Sequence, residues 1–125
     1  MKKVIATHKA PGAVGPYSQA MEVNGTIYTS GVIGIDPQDG LLKGNVLEQA
    51  ERVLCSLEEI LLAAGAGMED VVKTTVFLQD IGDFAAVNEI YAKHFVEPYP
   101  ARSCVQVAAL PKGALIELEA VAVKK

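Results

Sequence analysis

Two cysteines, two histidines and no tryptophan occur among 125 residues, and each scarcity narrows what the chain can do. Cys55 and Cys104 lie far apart in a sequence that is 50% apolar, so the fold needs no disulfide framework and a reducing, cytoplasmic setting is expected. His8 and His94 stand at none of the spacings that build a zinc site, so no metal is expected. Both histidines read as structural, His94 near the end of a helix where the dipole favours it. The signatures GxSxG, HExxH, the Walker loop and GxGxxG after a strand are all missing, which removes the common hydrolase, metalloprotease, nucleotide and dinucleotide motifs. No stretch approaches the roughly 20 apolar residues that cross a bilayer, so no membrane is expected. Positive charge is scarce too: 11 Lys and Arg face 15 Asp and Glu, for a net charge of -4. Apart from Lys2-Lys3 and Lys124-Lys125, which read as solvated ends, the basic residues are scattered. Nothing in that pattern neutralises a row of phosphates, and no nucleic-acid partner is expected.

What is present fits one compact core, with residues 1–125 forming a single domain. Tyr17–Val23 and Ile27–Ile33 flank Asn24-Gly25, the strongest short-range signal for a two-residue hairpin turn. Asp36-Pro37 and Asp39-Gly40 then mark a loop between Gly34 and Gly44. From Asn45 the apolar residues Val46, Ala50, Val53, Leu54, Leu57, Leu61 and Ala64 recur at helical spacing, Asn45 and Glu48 are placed for a capping box, and Gly65 ends the helix. Val71–Leu78 reads as a well-buried strand. Asp83 is expected to cap a second helix with Phe84, Val87, Tyr91 and Phe95 inward, ended by Pro98 and Pro100. Strands over Ser103–Ala109 and Ala114–Val123 follow, separated by the turn Leu110-Pro111-Lys112-Gly113. The order β-β-β-α-β-α-β-β gives an α/β (α+β) chain whose two helices cover one face of a single sheet. In the last strand Ile116, Leu118, Ala120 and Ala122 point one way, and Leu115, Val121 and Val123 the other, with Glu117 and Glu119. Both faces are apolar, so the uncovered one needs a partner and homo-oligomerisation is predicted.

Among residues that carry chemistry, Arg102 follows Pro100-Ala101 at the start of an apolar strand. Its planar fork suits a carboxylate, although taken alone a surface ion pair with an acidic residue is the plainer reading. Glu117 interrupts the last strand. A partly buried carboxyl there would have a raised pKa suited to proton transfer, whereas its neighbour Glu119 argues for a solvated strand face. Tyr17 and Ser30 offer hydroxyls and Gly31 permits close approach of a ligand; core capping, a backbone hydrogen bond and a bulge are the plainer alternatives. Asn88 lies on the second helix, by default at its surface. Cys104, on a strand, and Cys55, on the first helix, read as packing residues.

Gly15-Pro16-Tyr17-Ser18-Gln19, Tyr28-Thr29-Ser30-Gly31, Val72 through Leu78 and Pro100-Ala101-Arg102-Ser103-Cys104-Val105 together resemble the Rid (reactive-intermediate deaminase) family, RidA subgroup, over essentially the whole chain. The resemblance implies a chorismate-mutase-like fold, a homotrimer with its sheets packed into a central barrel, and three sites in clefts between subunits. It implies hydrolysis of 2-imino acids, 2-iminobutanoate and 2-iminopropanoate, to 2-oxo acids without metal or organic cofactor. On matching positions Arg102 would hold the substrate carboxylate and Glu117 would position or activate water. Tyr17, Ser30, Gly31, Asn88 and Cys104 would line the cleft, Tyr17 coming from the neighbouring subunit. Two departures stand out: Val96-Glu97-Pro98-Tyr99 is shorter than in typical close relatives, and Leu118 follows Glu117 where isoleucine or methionine is commoner. The alternative is a non-catalytic ligand-binding or regulatory protein that senses a small carboxylate in the same clefts; Arg102 fits both readings, while Glu117 favours catalysis. The ribonuclease activity described for some relatives gains nothing from an acidic chain without a basic stripe.

Overall fold

The computed structural model describes residues 1–125, and its elements follow the alternation of apolar residues closely. Strands β1 (Lys3–Ile5), β2 (Ala20–Val23), β3 (Thr26–Thr29) and β4 (Val32–Ile33) precede helix α1 (Val46–Ala63). Strand β5 (Val71–Leu78), helix α2 (Phe84–His94) and strands β6 (Ala101–Gln106) and β7 (Ile116–Val123) complete the chain. The seven strands form one sheet in the order β1-β2-β3-β7-β5-β6, with β4 also paired to β7. All pairings are antiparallel except β5 with β6, which α2 joins by a crossover. The last strand in sequence is thus central in space.

Local chemistry accounts for the boundaries. Asn24 and Gly25 both take positive φ, the conformation that a tight hairpin turn demands. The capping box on α1 is reciprocal: the Glu48 N–H donates to Asn45 Oδ1 at 2.9 Å and the Asn45 N–H to Glu48 Oε1 at 2.9 Å. At its other end the Ala66 N–H donates to the Leu61 carbonyl and that of Gly65 to Leu62, a Schellman ending around Gly65 at φ +81°.

Four expectations need correcting. The Ile27–Ile33 run is broken at Ser30-Gly31: β3 pairs Tyr28 with Val121 and β4 pairs Val32 with Leu118, so one extra residue bulges out of the ladder. Asp83 makes no capping hydrogen bond. A short turn over Ile81–Asp83 already has helical shape, and the carboxylate that accepts an N–H there is Asp80, from Gly82. Phe84 is not buried in the core: it is 38% exposed, and the guanidinium of Arg102 lies over its ring. Strand β5 is buried on one face only, through Thr74, Val76 and Leu78, while Val72 and Lys73 are exposed.

Both helices pack on one face of the sheet. Leu54, Leu57, Ile60 and Leu61 of α1 meet Ile116 and Leu118 of β7, and Tyr91 of α2 shares a 2.7 Å hydroxyl hydrogen bond with Thr74 inside the core. His94 joins the helices through a 2.6 Å contact between its Nε2 and Glu51 Oε1, a structural role. The opposite face is bare, with Tyr28, Val105 and Val123 all exposed.

Candidate active site

The open face and the helix-covered face each carry part of the predicted constellation. Glu117 pairs with Ile33 on one side and Phe77 on the other, and shares the open face with Glu119. Its carboxyl lies flush against the backbone at the Ser30-Gly31 break, so close that a Cβ on Gly31 would overlap it. The bulge therefore serves two ends: it turns Ser30 aside and opens the space that Glu117 fills. Ser30 is fixed by donation from its hydroxyl to the Ser18 carbonyl at 2.6 Å and from its N–H to the Gln19 carbonyl at 2.9 Å. Burial, and secondarily the Glu119 carboxylate, push the Glu117 carboxyl above the usual glutamate range. Tyr17, Ser30, Gly31 and Glu117 border one cavity of about 590 Å³ with an apolar side formed by Val32, Ile33, Ile35 and Ile60.

Arg102 and Cys104 project from the other face of the sheet. Arg102 is in register with the buried Thr74 and Cys104 with the buried Val76, the side that the helices cover. The guanidinium is held from beneath and from the side. It sits 4.8 Å from the Tyr91 ring centroid and 5.3 Å from that of Phe84, and Nη1 donates to Asn88 Oδ1 at 2.7 Å. It makes no salt bridge, although the chain has 15 acidic residues, which sets aside the surface ion pair as its explanation. A planar cation clamped by a neutral amide and two rings, with donors to spare, is suited to receive an anionic group from outside the chain. Cys104 is half-buried; burial raises its thiol, and the nearby Arg102 cation partly offsets that rise.

The predicted residues thus fall into two groups, Tyr17, Ser30, Gly31 and Glu117 in one and Asn88, Arg102 and Cys104 in the other. Within one chain nothing brings Arg102 to Glu117, since they leave the sheet on opposite sides. Asn88, expected at the helix surface, is half-buried by its bond to Arg102. Cys55, expected to pack, is an exposed residue of α1; partial desolvation of its sulfur, and then the Glu51 and Glu58 carboxylates, push its thiol up. Sequence reasoning did not find Gln19 and Lys112, which also border the cavity, or the rings that carry Arg102. A glutamine that starts an apolar strand was the one available signal. No three His, Cys, Asp or Glu side chains cluster in a way that would hold a metal ion.

Comparison with known proteins gives a consistent result. The profile of the family described as endoribonuclease L-PSP matches residues 7–124. The chain is 57% identical to the human 2-iminobutanoate/2-iminopropanoate deaminase, over 99% of this chain and 91% of that protein. The crystal structure of RidA from an Antarctic Psychrobacter superposes with a TM-score of 0.95 at 48% identity, covering 97% of this chain and 98% of that one. That of E. coli TdcF with bound serine gives 0.92 at 44%, covering 98% and 99%.

Proposed function

This chain belongs to the endoribonuclease L-PSP family, and from that membership we propose that it hydrolyses 2-iminobutanoate and 2-iminopropanoate to the 2-oxo acids and ammonia. The observation that carries the reading is the 57% identity to the human deaminase along 99% of the chain. The other activity that the family description names, on RNA, finds little support in a net charge of -4 with Lys43, Arg52, Lys124 and Lys125 all engaged in ion pairs.

The chemistry needs few groups. An iminium carbon is already electrophilic, so holding it beside a water molecule is the main task. In the proposed reaction the Arg102 guanidinium clamps the substrate carboxylate through two parallel hydrogen bonds, and Tyr17, Ser30, Gly31, Asn88 and Cys104 line the cleft around it. Water adds to the C=N carbon while Glu117, its carboxyl raised by burial, takes a proton from the water and delivers one to nitrogen. The tetrahedral amino-alcohol then collapses: the C–N bond breaks, ammonia leaves, and the oxygen from water remains as the ketone. Bound serine in the E. coli relative agrees with a cleft that takes a small 2-substituted carboxylate.

Because Arg102 and Glu117 face opposite ways, the proposal requires two copies of the chain, and we place the reaction in clefts of a homotrimer whose open sheet faces meet. The exposed Tyr28, Val105 and Val123 favour that packing. Two free thiols suit a cytoplasmic setting. The test generates imines in situ with a threonine dehydratase or an amino-acid oxidase and follows release of the 2-oxo acid. The protein is expected to speed release over buffer alone, and a folded, oligomeric Arg102→Ala variant to lose about two orders of magnitude or more. Release at the buffer rate with the unaltered protein would reject the deaminase reading, and full activity in Arg102→Ala would reject the clamp.

A further inference from the structure

Only four polar side chains are buried in this core, and two of them, Gln19 and Gln49, turn their amides to the backbone of the loops around the cavity. Gln19 Oε1 accepts from the Thr7 N–H at 2.7 Å, and its Nε2 donates to the Pro11 carbonyl at 2.7 Å, the Thr7 carbonyl at 3.1 Å and, more weakly, that of Ala10 at 3.4 Å. Gln49 Oε1 accepts from the Leu115 N–H at 2.9 Å, and its Nε2 donates to the Gly44 carbonyl at 3.0 Å. A primary amide both donates and accepts, which is what fastening a stretch of irregular backbone requires.

The fastened stretches form the cavity wall. Pro11 and Gly12 come from the segment that Gln19 holds, while Pro37 and Gly40 precede Gly44, and Pro111 and Lys112 precede Leu115, the two anchors of Gln49. None of these segments belongs to a named strand or a long helix. The 36–42 loop is closed by its own Asp36–Leu41 hydrogen bond and Ile35–Leu42 bridge and tied to α1 by the Arg52–Asp36 ion pair. The 111–114 turn is closed by its own backbone bonds, and the two amides add the ties that join these stretches to the body of the fold. Gln49 is itself held, since α1 lies so close to β4 that a Cβ on Gly34 would press on the Gln49 Cα and Cβ at 3.0 Å. Breaking either clasp removes the side-chain partner of backbone groups that are mostly part-buried, among them the Thr7 and Leu115 N–H groups, and so loosens the loops that carry them.

We infer that Gln19 and Gln49 are positioning residues that set the width of the cavity, and with it the size of the 2-imino acid side chain that the enzyme accepts. The inference rests on the deaminase reading and on the cavity beside Glu117 as the seat of the substrate side chain. Apolar Val32, Ile33, Ile35 and Ile60 provide a surface for an alkyl group, and the fastened loops limit how far it extends.

The test compares the unaltered protein with Gln19→Met and Gln49→Met, which keep the length and apolar stem and delete the amide. Imines are generated by an amino-acid oxidase from alanine, 2-aminobutyrate, leucine and phenylalanine, and kcat and KM are measured for each. In either variant the kcat/KM ratio of the leucine imine to the alanine imine is expected to rise about tenfold, chiefly through KM. That ratio does not depend on how much of the variant folds, so a merely structural role would leave it unmoved. Amide hydrogen exchange supplies the second readout: Thr7 is expected to exchange faster in Gln19→Met alone, and Leu115 in Gln49→Met alone. An active wild type whose variants keep the same substrate ratio overturns the inference and leaves the deaminase reading intact. Unchanged exchange at both amides overturns it as well, and a wild type inactive on every imine counts against the deaminase reading instead.

Discussion

Glu117 owes its raised carboxyl first to burial at the Ser30-Gly31 break and then to Glu119 on the same face, and the sign of that shift has a measurable consequence. A group with a higher pKa folded than unfolded keeps extra protons in the native state between the two values. Stability therefore falls as pH rises through the ordinary glutamate value toward the raised one, and is greatest below both. Glu117→Gln removes this titration. Its melting temperature is expected to gain on that of the wild type as pH climbs from about 4 toward neutrality, while imine hydrolysis is lost. A gap between the two melting curves that stays constant with pH would show that Glu117 is ionised freely in the native state. Gly31 tests the same spot from the other side. A methyl group there displaces the end of a flexible side chain, not backbone, so Gly31→Ala is expected to fold with nearly the wild-type melting temperature and lose about tenfold or more in kcat. At this scale the sequence was least informative. Glu117 and Glu119 look alike in the chain, and only the bulge beside Glu117 makes one a half-buried acid and the other an exposed one.

At the scale of elements, α2 is joined to β5 by the hydroxyl pair of Thr74 and Tyr91, in which each group is the other's partner in a dry interior. Tyr91→Phe leaves the Thr74 hydroxyl buried and alone, and is expected to lower stability by roughly 1 to 3 kcal/mol in urea unfolding. Adding Thr74→Val removes the orphan, so the double variant is expected to recover most of that loss; equal stabilities for single and double variants would contradict the coupling. Periodicity found these elements well where it was long and regular. The α1 heptad-like repeat, its capping box and Gly65 located the helix to within two residues, since each rests on interactions local in sequence. It did less well where a distant strand decides the outcome. The hairpin run was split by its register with β7, about ninety positions away, and Asp83 lost its cap to a turn that no local pattern announces.

For the whole molecule the bare face of the sheet and the division of the site pose one problem. Glu117, Phe77 and Val105 lie in one row across the open face, while Arg102 and Cys104 stand on the side of the helices, so a single copy cannot bring the proposed acid and the proposed clamp to one substrate. The alternation of apolar residues in β7 predicted the bare face. It did not predict the division, which depends on Arg102 being in register with Thr74, and pairing partners are not written in the local sequence. On the proposed trimer each cleft takes Arg102 from one subunit and Glu117 from its neighbour, which leads to a complementation experiment. Arg102→Ala and Glu117→Gln proteins are each expected to be inactive as pure assemblies. Unfolded together in equal amounts and refolded, they form mixed assemblies in which a cleft bounded by the right faces of two different variants contains both wild-type side chains. Random mixing gives that combination in about a quarter of clefts, so about a quarter of the wild-type rate should return. Recovery should fail when the two are mixed without unfolding, if subunits do not exchange. No recovery after co-refolding, with mixed assemblies verified by mass, would place both residues in the same subunit's site and refute the shared cleft.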